Sequence, residues 1–434
     1  MTRVQAPPRA DLSRIPFEVV DRLRPDSNDD YLHWDELRHR TPPAGASHEQ
    51  WWSVLKLYRT LAFTQGVHAM AASFRVVMTD AIQRAVHEID RDASGRIDLP
   101  EDVTNKGTRD RYVASSLYEE SIRSSQLEGA STTLAVAKEM LRSKRSPRNH
   151  GERMILSNYY AMEWVRAHQT QPMTAALLLE LHGVVTRDTL DAEQIGRYRR
   201  ADEPIAIYDK TDNELVYTPP DAAELPAQMR ALLAFANGTS TDVPFVHPVV
   251  RAILLHLWLA WAHPFVDGNG RTARALFYWS MLKQGYWLAE FISISRAIKL
   301  ARTQYDRAFI YTETDGNDAT YFVQNQLRML RRAIDELFVY LKRKTEEVRS
   351  IEGKLRADSE LNHRQLAILT HALRHPDERF TVESHKNSHR IAYETARTDL
   401  LGLVEAGMLV ETKLGKKFVF TPTAGLPRKL RKAT

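Results

Sequence analysis

Apolar residues recur at helical spacing over most of the chain. From 110 to 128, Tyr112, Ala114, Leu117, Tyr118, Ile122 and Leu127 return every three or four positions, which predicts one helix with Gly129 as its left-handed stop. The same period predicts helices over 154–167, 173–185 and 225–237. Residues 249–262 are apolar nearly all round, through Ile253, Leu254, Leu257, Trp258 and Trp261, and predict a buried central helix whose first turn is opened by Pro248. Helices over 273–284, closed by Gly285, then 296–311 and 319–348 follow. Two short β-like runs, 204–208 and 215–220, flank the polar stretch 209–214 and predict a hairpin.

The ends of the chain read differently. Residues 1–47 are rich in Pro, Arg and Asp and predict an irregular arm. A helical pattern begins at His48, carries Trp51 and Trp52 as core positions, and continues over 63–89. After a charged linker at 350–359 come three short helical patterns, to about 374, 384–391 and 393–406, then two strands around Gly415 and Lys416, which is a winged helix-turn-helix pattern. The expected fold is mainly α: an N-terminal arm and helical region over 1–109, a helical catalytic domain with a β-hairpin over 110–348, and a winged helix-turn-helix domain over 358–425.

Composition narrows the function classes. With 434 residues there is room for two or three domains, and with no cysteine there are no disulfides, thiolate metal sites or cysteine nucleophile. The longest apolar run, 252–262, is too short to span a bilayer and is interrupted by His256, a lone histidine expected to be a hydrogen-bonded core residue. A soluble cytoplasmic protein without membrane contact is expected. Residues 358–434 hold thirteen Lys or Arg against nine Asp or Glu, most of the chain's net charge of +5. That excess favours an acidic partner such as DNA, whereas Glu394 and Asp399 on the expected recognition helix, 393–406, oppose one. Protein contact through the same unit stays open.

The candidate chemistry is concentrated in twelve residues, His263, Pro264, Phe265, Val266, Asp267, Gly268, Asn269, Gly270, Arg271, Thr272, Ala273 and Arg274. Gly268 and Gly270 around Asn269 allow successive N–H groups to converge on an anion, and a helix beginning near Arg271 would point its positive end there. Arg271 and Arg274, three apart, lie on one helix face and suit phosphate oxygens. Asp267 is a hard oxygen ligand for magnesium, and His263 titrates near neutrality, as a general base for a hydroxyl should.

These residues match, position for position, the HPFx[D/E]GNGRxxR signature of the Fic family, whose typical members transfer AMP from ATP to protein hydroxyls. The resemblance implies a Fic-type helical core, ATP as substrate and Mg2+ as cofactor, with Mn2+ as a substitute. It also implies His263 as base, Phe265 as loop anchor and Asp267 as metal ligand. Gly268, Asn269 and Gly270 would cradle the phosphates, and Arg271 and Arg274 the outer ones. Glycine at 270, where the related Doc kinases carry lysine, implies adenylyl transfer.

Upstream, Ser124, Glu128 and Gly129 resemble the family's inhibitory motif. An acidic side chain at a helix C-terminus is disfavoured by the dipole, so Glu128 is expected to have a partner elsewhere. The resemblance names Arg274, with Glu128 standing where the ATP γ-phosphate would go. Some family members with such a glutamate also remove AMP. The hairpin resembles the family's flap, in which Ile205, Ala206, Ile207 and Tyr208 would hold a target segment by strand addition. The expected partner is a protein bearing a Ser, Thr or Tyr hydroxyl, the chain itself included, and a homodimer stays open. The 315–318 run is read as a turn with a helix cap, and Tyr305 and Asn317 as secondary candidates for an adenosine pocket.

Overall fold

In the computed structural model, residues 4–13, 15–25, 30–43, 45–63, 74–93, 106–208, 215–238, 245–357, 361–374, 378–414, 417–426 and 429–430 are described. The chain divides into two compact units, Met1–Gly95 with Ser116–Ile334, and Arg96–Ser115 with Asp335–Thr434.

The first unit is built around two consecutive helices. We label the described elements in chain order: α1 Phe17–Arg22, α2 Trp34–Leu37, α3 His48–Phe63, α4 Asp80–Ala93, α5 Lys106–Leu127, α6 Leu134–Ser143, α7 His150–His168, α8 Ala175–Thr186, β1 Ile207–Tyr208, β2 Leu215–Tyr217, α9 Leu225–Asn237, α10 Pro248–Ala262, α11 Asn269–Lys283, α12 Ile294–Leu300, α13 Arg302–Thr314 and α14 Thr320–Ala357. The apolar circumference of α10 is buried, with Ile253, Leu254, Leu257 and Trp258 wholly enclosed. Each such side chain contributes about 1.5–3 kcal/mol by leaving water. Helix α11 packs along α10 and is buried from Arg271 to Leu282, so two guanidiniums, Arg271 and Arg274, are carried into the interior. His256 is a core residue, its Nε2 within 3.0 Å of the Tyr305 hydroxyl.

Several expectations about the helices are corrected. The period expected over 63–89 is broken, since α3 ends at Phe63 and Phe74–Thr79 is not helical. Arg75 there pairs in parallel with Asp318, its N–H bonding Asn317 and its carbonyl accepting from Ala319. The β-branched Val76 and Val77 suit that extended strip. The single helix expected over 296–311 is two, α12 and α13, with Ala301 (φ −128°, ψ 38°) at the break and neither Gly nor Pro to mark it. Helix α14 runs through the linker expected at 350–359 as far as Ala357. Its charged residues are good helix formers, and Gly353 alone does not stop it. Residues 358–360 lie outside the described residues. Helix α6, capped by Thr133, had not been expected.

The hairpin is shorter than its sequence pattern. Only Ile207 and Tyr208 pair, with Tyr217 and Leu215, and the 209–214 turn lies outside the described residues. At 315–318, Gly316 and Asn317 take positive φ, and the buried Asp318 accepts from the Tyr31 hydroxyl (2.6 Å) and the Thr320 N–H (3.1 Å). It is a turn with an inward cap.

In the second unit, α15 His363–Arg374, α16 Val382–His389 and α17 Tyr393–Glu405 precede an antiparallel pair, β3 Leu409–Leu414 and β4 Lys417–Pro422. Leu369, Ala396, Leu400, Leu403, Leu409 and Phe420 form its core. Asp399 points inward, accepting from Arg364 (2.7 Å), Asn362 (2.8 Å) and the neighbouring His385 ring (3.0 Å). Among the described residues no helix is long and apolar enough to cross a membrane.

Candidate active site

The 263–268 loop joins α10 to α11 and is fixed at almost every residue. His263 terminates α10 in the left-handed region (φ 46°, ψ 57°), which costs a non-glycine residue on the order of 1–3 kcal/mol unless its surroundings hold it there. They do. Arg199 donates Nε–H to the His263 carbonyl (2.9 Å) and its own N–H to that of Pro264 (2.8 Å), while a third bond runs to Pro220 at the end of the hairpin. The His263 Nδ1 lies 3.2 Å from the Ala260 carbonyl, an acceptor only, so Nδ1 carries the proton and Nε2 holds the lone pair. Burial lowers the His263 pKa, which keeps the ring neutral at pH 7.

Phe265 is fully buried and stacks face to face on His182 (3.8 Å between ring centres, 8° apart). The His182 Nδ1 accepts from the Gly196 N–H (3.1 Å), so its Nε2 is the donor to the Asp267 carbonyl (3.0 Å). Burial holds this ring's pKa down to about 4, so the tautomer persists across neutral pH. The Asn269 side chain closes the loop on itself, exchanging two hydrogen bonds with the Phe265 backbone (2.9 and 2.8 Å). Its amide is therefore occupied, and only its backbone is left for an anion.

Helix α11 starts at Asn269, two residues earlier than expected, because Gly268 takes φ 82° as its N-cap with no side chain to cover the first N–H groups. A Cβ on Gly268 would stand 2.7 Å from the Thr186 methyl. Uncapped N–H groups at a helix start, aimed past a glycine, form an anion site. Arg271 is anchored by one bond to the Val185 carbonyl (2.8 Å), approaches Asp267 at 3.4 Å, and keeps a buried Nε–H without a partner among the described residues. The Asp267 side chain is 54% exposed.

The structure brings Ser124 and Glu128 to this loop from the end of α5. The Arg274 Nε donates to the Ser124 hydroxyl (2.8 Å), and its Nη2 to the Ser124 carbonyl (3.0 Å) and the Glu128 carboxylate (2.7 Å). Burial opposes both charges, yet the pairing prevails: the Glu128 pKa falls and that of Arg274 rises, so the ion pair is charged at neutral pH. Gly129 follows at φ 105°. A Cβ on Gly270 would sit 2.1 Å from a Glu128 oxygen, so glycine there makes the room that Glu128 fills. Two turns upstream on α5, the buried Glu120 accepts from Tyr278 (2.9 Å), Ser293 (2.8 Å) and Ser295 (2.5 Å), fastening the helix to the core. Arg302 bonds the Leu127 carbonyl (3.0 Å) at the helix's negative end.

The hairpin is not gathered into this network in the same way. Ile205, Ala206 and Ile207 are half-buried and Tyr208 is 51% exposed, as are Leu215 (58%) and Val216 (38%) opposite. His182, Arg199 and Glu120 were not singled out from the sequence. Arg199 had one signal, its place in the run Gly196, Arg197, Tyr198, Arg199 just ahead of the hairpin.

Residues 172–281 match the model of the Fic/DOC family. Among curated relatives, the protein adenylyltransferase Fic of Drosophila erecta is 27% identical over 219 residues, covering 48% of this chain and 40% of the relative. That of Drosophila grimshawi is 30% identical over 167 residues, covering 37% and 32%. The chain thus spans well under half the length of these relatives. A Fic family protein from Desulfovibrio desulfuricans G20 shares the fold, with a TM-score of 0.53 at 20% identity over 80% of this chain and 97% of that one. The matched segment is the one that carries α8, the hairpin, α10, the 263–268 loop and most of α11, so the likeness to the Fic/DOC family falls on the candidate site itself.

Proposed function

We propose that the chain is a protein adenylyltransferase that transfers AMP from ATP to a Ser, Thr or Tyr hydroxyl of a protein, itself included, and that Glu128 holds it back. The observation that carries this reading is the Glu128–Arg274 pair, 2.7 Å apart, lying against Gly270 at the mouth of the anion site, beside a histidine whose Nε2 is free to accept a proton.

The His263 Nε2 takes the proton of the target hydroxyl as its oxygen attacks the ATP α-phosphorus. The O–P bond forms, the bond to the bridging oxygen breaks, and pyrophosphate leaves. The uncapped N–H groups at the start of α11 face the charge that develops, without reorganising during the step. Arg271, held by Val185, and Arg274, once released by Glu128, take the outer phosphates. Asp267 fits a divalent cation: its carboxylate is half exposed, its contact with Arg271 is long, and Mg2+ or Mn2+ takes one or two carboxylates together with phosphate oxygens. Such an ion supplies neutralisation of phosphate charge. The exposed hairpin edge offers the target backbone N–H and C=O groups to pair with.

Inhibition is competition for one guanidinium. While Glu128 holds Arg274, the fraction of molecules able to take ATP productively is small, and apparent affinity falls in proportion. Glu128→Gly should raise transfer of radiolabel from α-labelled ATP by about tenfold or more, and unchanged labelling would sink the inhibitory assignment.

A second reading concerns the second unit, where three helices and a two-stranded wing support a nucleic-acid or protein contact. The inward turn of Asp399 removes one of the two acidic residues that opposed DNA on α17. Retention of duplex DNA by the full chain at low salt, lost steeply as salt rises, would support the DNA role, and indifference to DNA would remove it.

A further inference from the structure

Helix α13 has two faces in use. Toward the candidate active site, Arg302 bonds the Leu127 carbonyl at the end of α5 (3.0 Å), and the Tyr305 hydroxyl lies 3.0 Å from the His256 Nε2. Gln304, Arg307, Ala308 and Tyr311, at helical spacing, share a different face. They line a cavity of about 380 Å3, closed by Asp30 and Glu36 on the side of the arm and α2, and by Tyr321 and Arg328 of α14.

The cavity is preformed. Its floor is aromatic and pinned: the Tyr31 hydroxyl bonds Asp318 (2.6 Å), the Tyr321 hydroxyl bonds Asp315 (2.9 Å) and accepts from Arg59 (2.8 Å), and Tyr311 stacks on His33 with ring centres 4.1 Å apart. All three tyrosines are buried. Its charges, by contrast, are unspent. Asp30 and Glu36 come from one wall and Arg307 and Arg328 from the other, yet among the described residues no ion pair joins any of the four. Glu36 has only a long bond from the Tyr311 hydroxyl (3.3 Å), and the buried Arg307 Nε–H meets no acceptor among the described residues. On the same helix, Arg302 takes Asp306 at 2.8 Å, so separation of opposite charges is a property of the cavity and not of α13.

We infer that this cavity binds a small zwitterion, a free α-amino acid or dipeptide, with its carboxylate on Arg307 and Arg328 and its ammonium on Asp30 and Glu36. A guanidinium takes a carboxylate through two parallel N–H bonds, and an ammonium is a compact point charge with three donors for carboxylate oxygens. A ligand of one sign would meet its like on the facing wall: phosphate groups would face Asp30 and Glu36, and a polyamine would face Arg307 and Arg328. The volume lies in the range of roughly 300–1,000 Å3 usual for small molecules and is too small for a folded partner. Ala308 and Met329, both buried, give the ligand's side chain an apolar place between the charged walls.

The test is calorimetric titration of the common L-amino acids and of dialanine, one at a time, into the full chain, with and without Mg2+-ATP. At least one should bind with a Kd below about 1 mM, and equally well with Mg2+-ATP present. Taking either charge from that ligand, as the deaminated acid or the decarboxylated amine, should weaken binding by about tenfold or more. Arg307→Gln and Glu36→Gln should each weaken it by about tenfold, while the chain melts within a few degrees of the parent. No binding by any of these probes, displacement by Mg2+-ATP, or equal affinity for the ligand and its single-charge analogues overturns the inference. Should Arg307→Gln fail to fold, Arg328→Gln, at an exposed position, takes its place. Undiminished binding there and in Glu36→Gln overturns the assignment as well.

Discussion

The 263–268 loop and the hairpin lie within the same family-matched segment and are built on opposite terms. In the loop, nearly every polar atom is spent on the protein itself: Asn269 on Phe265, His182 on Asp267, Arg199 on His263 and Pro264. What remains open among the described residues is the His263 Nε2, the start of α11 and, apart from a long contact with Arg271, the Asp267 carboxylate, the groups that the proposed chemistry would use. The hairpin spends little. Two residues of β1 pair with β2, and the side chains of Tyr208, Leu215 and Val216 stand in solvent. Rigid placement serves bond-making, where small misplacements cost rate, whereas a sparsely bonded strand edge serves a partner whose side chains are not fixed in advance.

The sharpest way to break the comparison is at His263. His263→Ala should lower transfer by about 10²- to 10⁴-fold without moving the melting temperature of the chain by more than a few degrees. With His263 intact, activity should hold at neutral pH and fall as pH drops, because burial lowers the ring's pKa and only the neutral ring accepts a proton. A rate that rises on acidification would contradict its role as base. Next comes the loop's support. His182→Leu leaves the Asp267 carbonyl and the Gly196 N–H without partners, which should cost about 1–3 kcal/mol of stability and roughly tenfold in kcat with KM little changed; His182→Gln should recover part of both. A change confined to KM would mean that the ring serves binding and not placement.

Smaller effects are expected toward the hairpin. Burial raises the Glu313 pKa to about 8 from an ordinary 4.5, so as pH climbs between those values the unfolded chain gives up a proton that the folded chain keeps, and stability is lost. Glu313→Gln should therefore melt a few degrees above the parent at pH 8 and alongside it at pH 4. Identical melting at both would remove the burial argument. Smallest of all, Tyr208→Ser should change stability by less than about 0.5 kcal/mol and raise KM for a protein target a few-fold, with ATP affinity untouched. A collapse of stability would show that the hairpin is held as firmly as the loop.

What could be read without coordinates follows the same division. The 263–274 segment was legible because its chemistry is contiguous; for Glu128 an unfavourable dipole asked for a partner, and only the resemblance to the Fic family's inhibitory motif named Arg274. His182, Arg199 and Glu120 escaped notice because each works through contacts made across the fold: a stack on Phe265, a carbonyl 64 positions away, a trio of hydroxyls on α11 and around the start of α12. The break at Ala301 and the strip at Phe74–Thr79 were missed for a related reason. Neither carries a local breaker, and backbone pairing with Asn317 and Ala319 overrides the helical period at 75–77.

On the proposed reading, Glu128 can also be regarded as a tethered ligand. A group on a short, stiff connection competes at an effective concentration of millimolar or more, however dilute the protein is. The strength of the brake is then set by the rigidity of the tether as much as by the ion pair. That rigidity is vested in Glu120, bonded to Tyr278, Ser293 and Ser295 two turns up the same helix. Replacing either serine would then lower the local concentration of the proposed inhibitor, which neither touches, and ATP would gain on Arg274 with Glu128 unaltered.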